Sequence, residues 1–446
     1  MSNDIRIKKG LDIKLKGAAE KTSEQAILSN FYTLRPEDFH GVIPKLISKV
    51  GSKVKAGETV FYDKSNENVK FVSPVSGEVA EVVRGAKRRI LEVRVLADKE
   101  TKFETYDVSG VASLDGRGMA ELLQKSGQWS FIKQRPFDVV ANPNNKPKSI
   151  FVSAFDSSPL APDYNYILKE KGAELQAGID ALAKLTDGAV NVVTRGDKGV
   201  FGNLKNCTIH SIAGPHPVGN VGVQIHHIDT LNKGETIWSV NPQDLAAIGS
   251  FLKTGKVQSK RVVALTGAEV KSPQYFEVTL GASTEKLVLG KVNEGARIIS
   301  GNVLTGDKLE NSGYLGYYHH QVTAIREDHE PAFMGWLAPG LDNLSLSRTF
   351  FSWLMPNKKY NLGTAIHGEE RAFVMTGEYE QVFPFDIYPV QLLKSILVND
   401  IEQMENLGIY EVAPEDFALC EFGCTSKINS QEIVRNGLDL IQKELS

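Results

Sequence analysis

The sequence predicts a multidomain α/β protein in four parts: a β-rich segment over residues 1–103, a Rossmann-like α/β segment over 104–258, a small β segment over 259–330 and a helical segment over 331–446. Three observations lead there. At 446 residues the chain exceeds one ordinary domain. Its 39 Gly and 18 Pro supply turns for many short strands. In the middle of the chain, apolar strand-like runs alternate with helical stripes, the pattern of a parallel or mixed sheet.

The first segment opens on period-2 patterning. Ile5, Ile7, Leu11, Ile13 and Leu15 alternate with charged residues, broken at Lys9-Gly10. Glycines then punctuate alternating valines in Val50-Gly51-Ser52-Lys53-Val54 and in Ser73-Pro74-Val75-Ser76-Gly77-Glu78-Val79, which reads as short hairpins. Ile90 to Val95 closes the segment as another strand. These pieces resemble the biotinyl/lipoyl-type barrel-sandwich module. A swinging-arm lysine in such a module sits at the tip of a tight hairpin, a fixed short distance before the Ser-Pro-x-x-Gly strand. Eight residues separate Lys64 from Ser73, so Lys64 reads as a loop lysine on a structural barrel.

In the second segment, Ile150–Phe155 and Val190–Thr194 are buried strands. Between them Leu168, Leu175, Ile179, Leu182 and Leu185 form one helical stripe. The clearest helix starts at Asn241, a cap, with Pro242 at the first helical position. Leu245, Ile248 and Leu252 face the core, and Gly255 stands just past the end. The third segment has strands at Arg261–Thr266, Tyr275–Leu280 and Ile298–Ser300 around a short polar stretch, compatible with a β-grasp domain. In the fourth, Val390, Leu393, Leu397, Ile401 and Met404 form a stripe ending at Gly408. Val434, Leu438, Ile441 and Leu445 form another after an Asn429 cap.

Composition narrows the function classes. Fifty-one Lys and Arg against 54 Asp and Glu give a net charge of −3, which argues against a nucleic-acid binder. No apolar run reaches the roughly 18–20 residues of a spanning helix. Met1 to Gly17 has no apolar core of a secretory signal. Cys207, Cys420 and Cys424 are too few and too odd in number for a disulfide framework, so a reducing compartment is expected.

The nucleotide motifs are missing. Gly116-Arg117-Gly118 begins a G-x-G-x-x-G, but Glu121 stands at its third glycine. The glycine-rich run Gly214 to Gly222 is stiffened by Pro215 and Pro217 and reads as a sheet connection. Cys420 and Cys424 supply two thiolates where an iron–sulfur cluster needs about four, so they read as packing thiols. The pairs His226-His227 and His319-His320 are adjacent residues, which in a strand face opposite ways and do not chelate together. Aromatics are about twice as dense as average between Tyr314 and Tyr360. Core packing is the ordinary reading. Contact with a partner or a quinone-type ring is the functional one, with Tyr317, Tyr318, Trp336, Phe350, Phe351 and Trp353 as the residues that would make it.

A more specific resemblance spans the chain. Phe333-Met334-Gly335-Trp336-Leu337-Ala338-Pro339-Gly340, Ser347-Arg348-Thr349, Gly368-Glu369-Glu370-Arg371-Ala372 and Tyr379-Glu380-Gln381-Val382-Phe383-Pro384-Phe385-Asp386-Ile387-Tyr388-Pro389 follow Ser73–Gly77 and Ala213-Gly214-Pro215-His216-Pro217 in order. The set resembles the NqrA family, one of the components of the sodium-translocating NADH:quinone oxidoreductase, Nqr.

The resemblance implies a barrel-sandwich domain, a Rossmann-like domain, a β-grasp domain of the SLBB type and a helical C-terminal domain. It implies a peripheral subunit on the cytoplasmic face of a bacterial inner membrane, with five partner subunits, membrane-embedded ones included. The complex carries electrons from NADH to a quinone and exports Na+. FMN, FAD, riboflavin and iron–sulfur centres are expected in the partners and no cofactor in this subunit, which is linked to the quinone step. Its relatives are the RnfC component of the Rnf complex and the NADH-binding flavoprotein of complex I. Cys420 and Cys424 stand where the Rnf relative has cluster ligands. The competing expectation is an NADH- and FMN-binding electron-input subunit.

Overall fold

Strand β1 (Asp4–Arg6) runs parallel to a strand more than two hundred residues away, at the edge of the α/β sheet rather than in the barrel. The computed structural model describes residues 4–25, 29–310, 313–328, 334–335 and 337–445. After β1 the chain passes Ile7, Ile13 and Leu15, all buried in the core beneath the C-terminal helices. It then forms β2 (Glu20–Gln25), the edge strand of the β-grasp sheet. The expected alternation is therefore real in burial, but the strand it forms is only three residues long, and its sheet belongs to another domain.

The barrel-sandwich proper begins at residue 31. Its strands are β3 (Phe31–Leu34), β4 (Pro44–Leu46), β5 (Lys53–Val54), β6 (Thr59–Asp63), β7 (Asn66–Val72), β8 (Gly77–Arg84) and β9 (Ile90–Ala97). One sheet is ordered β3-β9-β8-β5 and the other β4-β6-β7. Val79, Val93 and Val95 point inward by strand alternation, and Phe61 stacks on Phe71 at 4.7 Å. Gly77 is required: a Cβ there would lie 1.9 Å from the Leu96 carbonyl oxygen on the paired strand. Lys64 and Ser65 form a two-residue turn between β6 and β7, with Asp63 paired to Asn66. Asp63 Oδ1 accepts from the amides of Ser65 and Ile43, each at 3.1 Å, and closes the turn at once. Lys64 thus stands exposed at a hairpin tip, not in the longer loop the sequence suggested.

The second domain contains α1 (Gly116–Lys125), β10 (Lys133–Arg135), β11 (Val139–Val140), β12 (Ser149–Ser153), α2 (Tyr164–Ile167), α3 (Gly172–Leu185), β13 (Val190–Thr194), β14 (Thr208–Ala213), α4 (Val221–Ile228), β15 (Ile237–Ser239) and α5 (Pro242–Thr254). The sheet order is β1-β14-β13-β12-β15-β10-β11. The first five strands are parallel; β10 and β11 are antiparallel additions. The stripe from Leu168 to Leu185 is split, α2 ending at Ile167 and α3 starting after Lys171. Helix α5 forms as its caps dictate: the Asn241 side chain accepts from the Gln243 amide at 3.0 Å, and Gly255 closes it at φ 67°. Leu245, Ile248 and Phe251 are fully buried, each contributing about 1.5–3 kcal/mol by leaving water.

The third domain is a β-grasp. Its elements are β16 (Lys260–Thr266), β17 (Gln274–Thr279), α6 (Glu285–Val288), β18 (Ala296–Ser300), β19 (Asp307–Lys308) and β20 (Gln321–Arg326), in the order β19-β18-β20-β16-β17-β2. The central strands β16 and β20 are parallel, while β17 and β18 flank them antiparallel.

Regular helix in the last segment starts only at Tyr379, with α7 (Tyr379–Val382), α8 (Pro389–Leu397), α9 (Ile401–Asn406), α10 (Ala418–Gly423) and α11 (Ser430–Leu445). The stripe read as one helix to Gly408 breaks after Leu397. Asp400 caps α9 by accepting from Gln403 N at 3.0 Å, and Leu397 is 54% exposed at the break. Val434, Leu438 and Ile441 are buried, whereas Leu445 is exposed at the helix end. Among the described residues from 337 to 378 the chain is irregular apart from a 3-10 turn, Phe351–Leu354.

Candidate functional site

The parallel sheet reverses its winding between β12 and β15: β13 and β14 lie on one side, β15 and β10 on the other. A doubly wound sheet opens its ligand crevice at this switch point, beyond the carboxyl ends of the strands. A cleft of about 430 Å³ lies there. Ser153 lines it at the end of β12, Phe155, Asp156 and Ser158 in the loop that follows, and Val240 and Asn241 after β15. The β-grasp domain supplies Tyr318, His319, His320 and Gln321, the turn ahead of α10 supplies Glu415 and α11 supplies Gln431. Three domains therefore meet around one opening.

Tyr318 donates to the Ser130 carbonyl at 2.6 Å, and Lys133 Nζ stands 4.7 Å from its ring centre. Tyr317 bonds Ser130 Oγ at 2.8 Å and stacks on Phe131 with centroids 5.5 Å apart. Burial pushes both phenols above their ordinary range. Burial pushes His319 down to about 4 and His320 well below its usual value, so both rings are neutral at pH 7. His320 Nδ1 lies 3.1 Å from Tyr164 Oη and accepts from Gln243 Nε2 at 3.2 Å. The proton is then assigned to Nε2, which has no partner and is shut off from solvent. Ser158 Oγ and Gln321 Oε1, on the same lining, are also buried without partners.

The charges are unfavourable to phosphate. Asp138, Glu415 and Asp244 stand at the opening paired with Lys133, Arg135 and Arg261. Asp156 has no ion-pair partner among the described residues; its Oδ1 accepts from Ser158 N at 2.7 Å. It occupies the loop after β12, where this architecture would place a nucleotide phosphate on a helix N-terminus. The helix that follows, α2, has four residues, and its cap Asp163 already fills that end with a carboxylate by accepting from Tyr166 N at 3.2 Å. The run from Gly214 into the first turn of α4 is packed against protein groups. A Cβ on Gly219 would lie 2.4 Å from Ser157 N, and one on Gly222 would lie 2.6 Å from Arg135 Nη1. Those glycines admit protein groups. Phe131, Tyr164 and Tyr318 offer ring faces on the lining of this crevice.

The structure divides the aromatic residues singled out from sequence. Tyr318 lines the crevice and Tyr317 packs behind it. Phe350, Phe351 and Trp353 do not line it; the last two are exposed on the 3-10 turn. Trp336 lies outside the described residues. Cys420 and Cys424 are buried in the helical core, and among the described residues no group of three or more His, Cys, Asp or Glu is arranged for a metal ion. His226 and His227 are engaged separately, by Glu411 at 2.7 Å and by the Pro384 carbonyl at 3.0 Å. Sequence reasoning missed Asp156, Ser158, Tyr164 and Asp244. Their one available signal was position, since Asp156 and Ser158 closely follow the Ile150–Phe155 strand.

Comparison with known families gives three matches in chain order. They are the NqrA N-terminal barrel-sandwich hybrid domain over residues 5–98, the NqrA second alpha/beta domain over 114–257 and the NQRA C-terminal domain over 262–311. Full-length relatives, each the NqrA component of a Na(+)-translocating NADH-quinone reductase, are similar throughout. The one from Rhodopirellula baltica is 37% identical, over 98% of this chain and 98% of its own. Those of Alcanivorax borkumensis and Vibrio anguillarum are each 37% identical, over 99% of this chain and 100% of theirs.

Proposed function

The chain belongs to the NqrA family of the Na(+)-translocating NADH-quinone reductases, and on that footing we propose that it is a peripheral subunit, on the cytoplasmic face of a bacterial inner membrane, of a complex that couples NADH oxidation and quinone reduction to Na+ export. Within it, the chain serves or scaffolds the quinone-reduction step and holds no redox cofactor itself. The observation that carries this reading is the switch-point crevice: its rings and neutral histidines suit a flat uncharged ligand, while Asp156 and the self-capped α2 oppose a phosphate. No described helix is long and apolar enough to cross a membrane, in keeping with a peripheral place.

A second reading, an NADH- and FMN-binding electron-input subunit, draws support from the crevice's position and from the unpartnered His320 Nε2 and Ser158 Oγ. One experiment separates the two. A complex assembled without this chain should still oxidise NADH with a soluble artificial acceptor but should fail to reduce quinone. Loss of NADH oxidation itself would transfer the chain to the input side. Absorbance of the isolated chain between 350 and 500 nm should be flat; a stoichiometric flavin spectrum would refute the cofactor-free reading.

A further inference from the structure

The irregular stretch before the C-terminal helices presents an apolar knob. Phe351, Trp353 and Leu354 are 56%, 51% and 61% exposed on one 3-10 turn, with Met355 beside them, and only Ser352 of that turn is buried. A second strand of chain clasps it. Phe351 N donates to the Pro339 carbonyl at 2.9 Å, and Lys358 Nζ donates to the Leu341 carbonyl at 2.7 Å, bringing the exposed Leu341 alongside. Single exposed hydrophobes are ordinary on any surface, but a run of this size on consecutive residues marks a contact.

The knob is fixed to the body through its base. Tyr360 is buried; its amide donates to the Lys14 carbonyl at 2.7 Å, and Lys16 N donates to the Tyr360 carbonyl at 2.9 Å. Lys14 Nζ reaches the Pro356 carbonyl at 2.8 Å. These bonds set the basic N-terminal arm beside the apolar turn. Between Asp4 and Gly17 there are five basic residues against two acidic, and between Leu337 and Tyr360 three against one. The single acid of the second stretch, Asp342, is engaged by Lys358 at 2.6 Å and lies within the field of Lys16.

An apolar tip carrying Trp, flanked by lysines, has the chemistry of a membrane interface: the ring sits at headgroup depth and the cations meet anionic lipid. We propose that the Phe351–Met355 knob inserts into the headgroup layer of an anionic bilayer, with Lys14, Lys16 and Lys359 on its margin. The proposal rests on the peripheral-subunit reading for its setting and adds a lipid contact made by this chain itself. The charge pattern selects lipid over a protein surface, which would have to bring matching carboxylates around an apolar socket.

The test uses the full chain with vesicles of phosphatidylglycerol and phosphatidylethanolamine, against vesicles of phosphatidylcholine. Expected are co-sedimentation with the anionic vesicles only, weakened by salt, and a blue shift of tryptophan emission. Trp353→Ser/Leu354→Ser should cut the partition at least tenfold, and Trp353→Ser alone should remove most of the shift. Lys14→Gln/Lys359→Gln should weaken binding with the shift at saturation retained. All these positions are exposed, so unchanged melting verifies the fold of each variant. Equal binding to both vesicle types, or an undiminished shift in Trp353→Ser, overturns the proposal. So does absence of vesicle binding with the same double variant losing co-purification with membrane subunits in detergent, which would make the knob a protein interface. Co-purification of the unaltered chain is measured separately: its failure with vesicle binding intact counts against complex membership and supports the lipid contact.

Discussion

Arg135 Nη1 lies 2.7 Å from Asp416 Oδ2, and both side chains are withdrawn from water. The pair joins β10 of the α/β sheet to the turn ahead of α10. Asp416 also accepts from Ala413 N at 2.9 Å, and Arg135 Nη2 reaches Glu415 Oε1 at 2.7 Å. The bond therefore holds one wall of the crevice to the sheet that forms its floor.

Removing one partner leaves the other charge buried, so Arg135→Met should destabilise the chain by about 3–5 kcal/mol. Arg135→Met/Asp416→Leu should recover part of that loss, because the fully buried Asp416 charge goes with its partner and only Glu415, 40% exposed, is left unpaired. Urea unfolding of the single and double variants measures both, and equal losses in the two would contradict the pairing.

Helices α3 and α5 approach each other through glycine. A Cβ on Gly249 would lie 1.8 Å from the Glu174 carbonyl oxygen, a backbone atom that cannot swing aside. Gly249→Ala should lower stability by about 1–3 kcal/mol, the ordinary cost of overpacking. A melting curve unchanged from that of the parent chain would show that the helices separate freely.

Burial holds His319 down to about 4, against roughly 6.5 in an unfolded chain. Between those values the unfolded chain takes up a proton that the folded one refuses. Stability present above pH 6.5 is therefore lost as the pH falls toward 4. Asp38 and Asp244, pushed up to about 6 by burial, act oppositely and lower stability as the pH rises from roughly 4 to 6. Comparing the parent chain with His319→Asn isolates the histidine. The variant's stability should fall less steeply below pH 6.5, by up to one proton per molecule; parallel profiles would remove His319 from the account.

Among the described residues, Tyr318 is the one sequence-chosen aromatic that lines the crevice. In the intact complex, Tyr318→Ala should reduce quinone reduction several-fold and leave NADH oxidation with an artificial acceptor unchanged. Tyr318→Phe keeps the ring and loses the bond to Ser130, so it should retain most quinone activity at a stability cost of about 1 kcal/mol. Equal effects on both reactions would place the ring outside the quinone step.

Where local chemistry decides structure, the sequence was readable. Asn241, Pro242 and Gly255 delimit α5 as their caps require, and the Ser73–Gly77 run marks a tight strand approach. What stayed hidden depends on distant partners. Strand β2, Glu20–Gln25, is polar and exposed along its length, so it carries no alternation to detect; only its pairing with β17 makes it a strand. The crevice is hidden for the same reason, since Asp156, His320 and Glu415 converge from three domains and no spacing along the chain links them.

The N-terminal arm has a consequence for how the molecule is made. Its first strand waits for β14, its second for β17, and Leu15 pairs with Tyr360. On a ribosome adding roughly 5–20 residues per second, that last partner emerges about 20–70 s after Leu15. A segment made well before its partners is thus among the last to settle, and it fastens the α/β sheet, the β-grasp sheet and the knob together once each exists. A nascent chain halted before Tyr360 would carry a basic, apolar leading arm with its docking sites incomplete, a natural target for a chaperone during that interval.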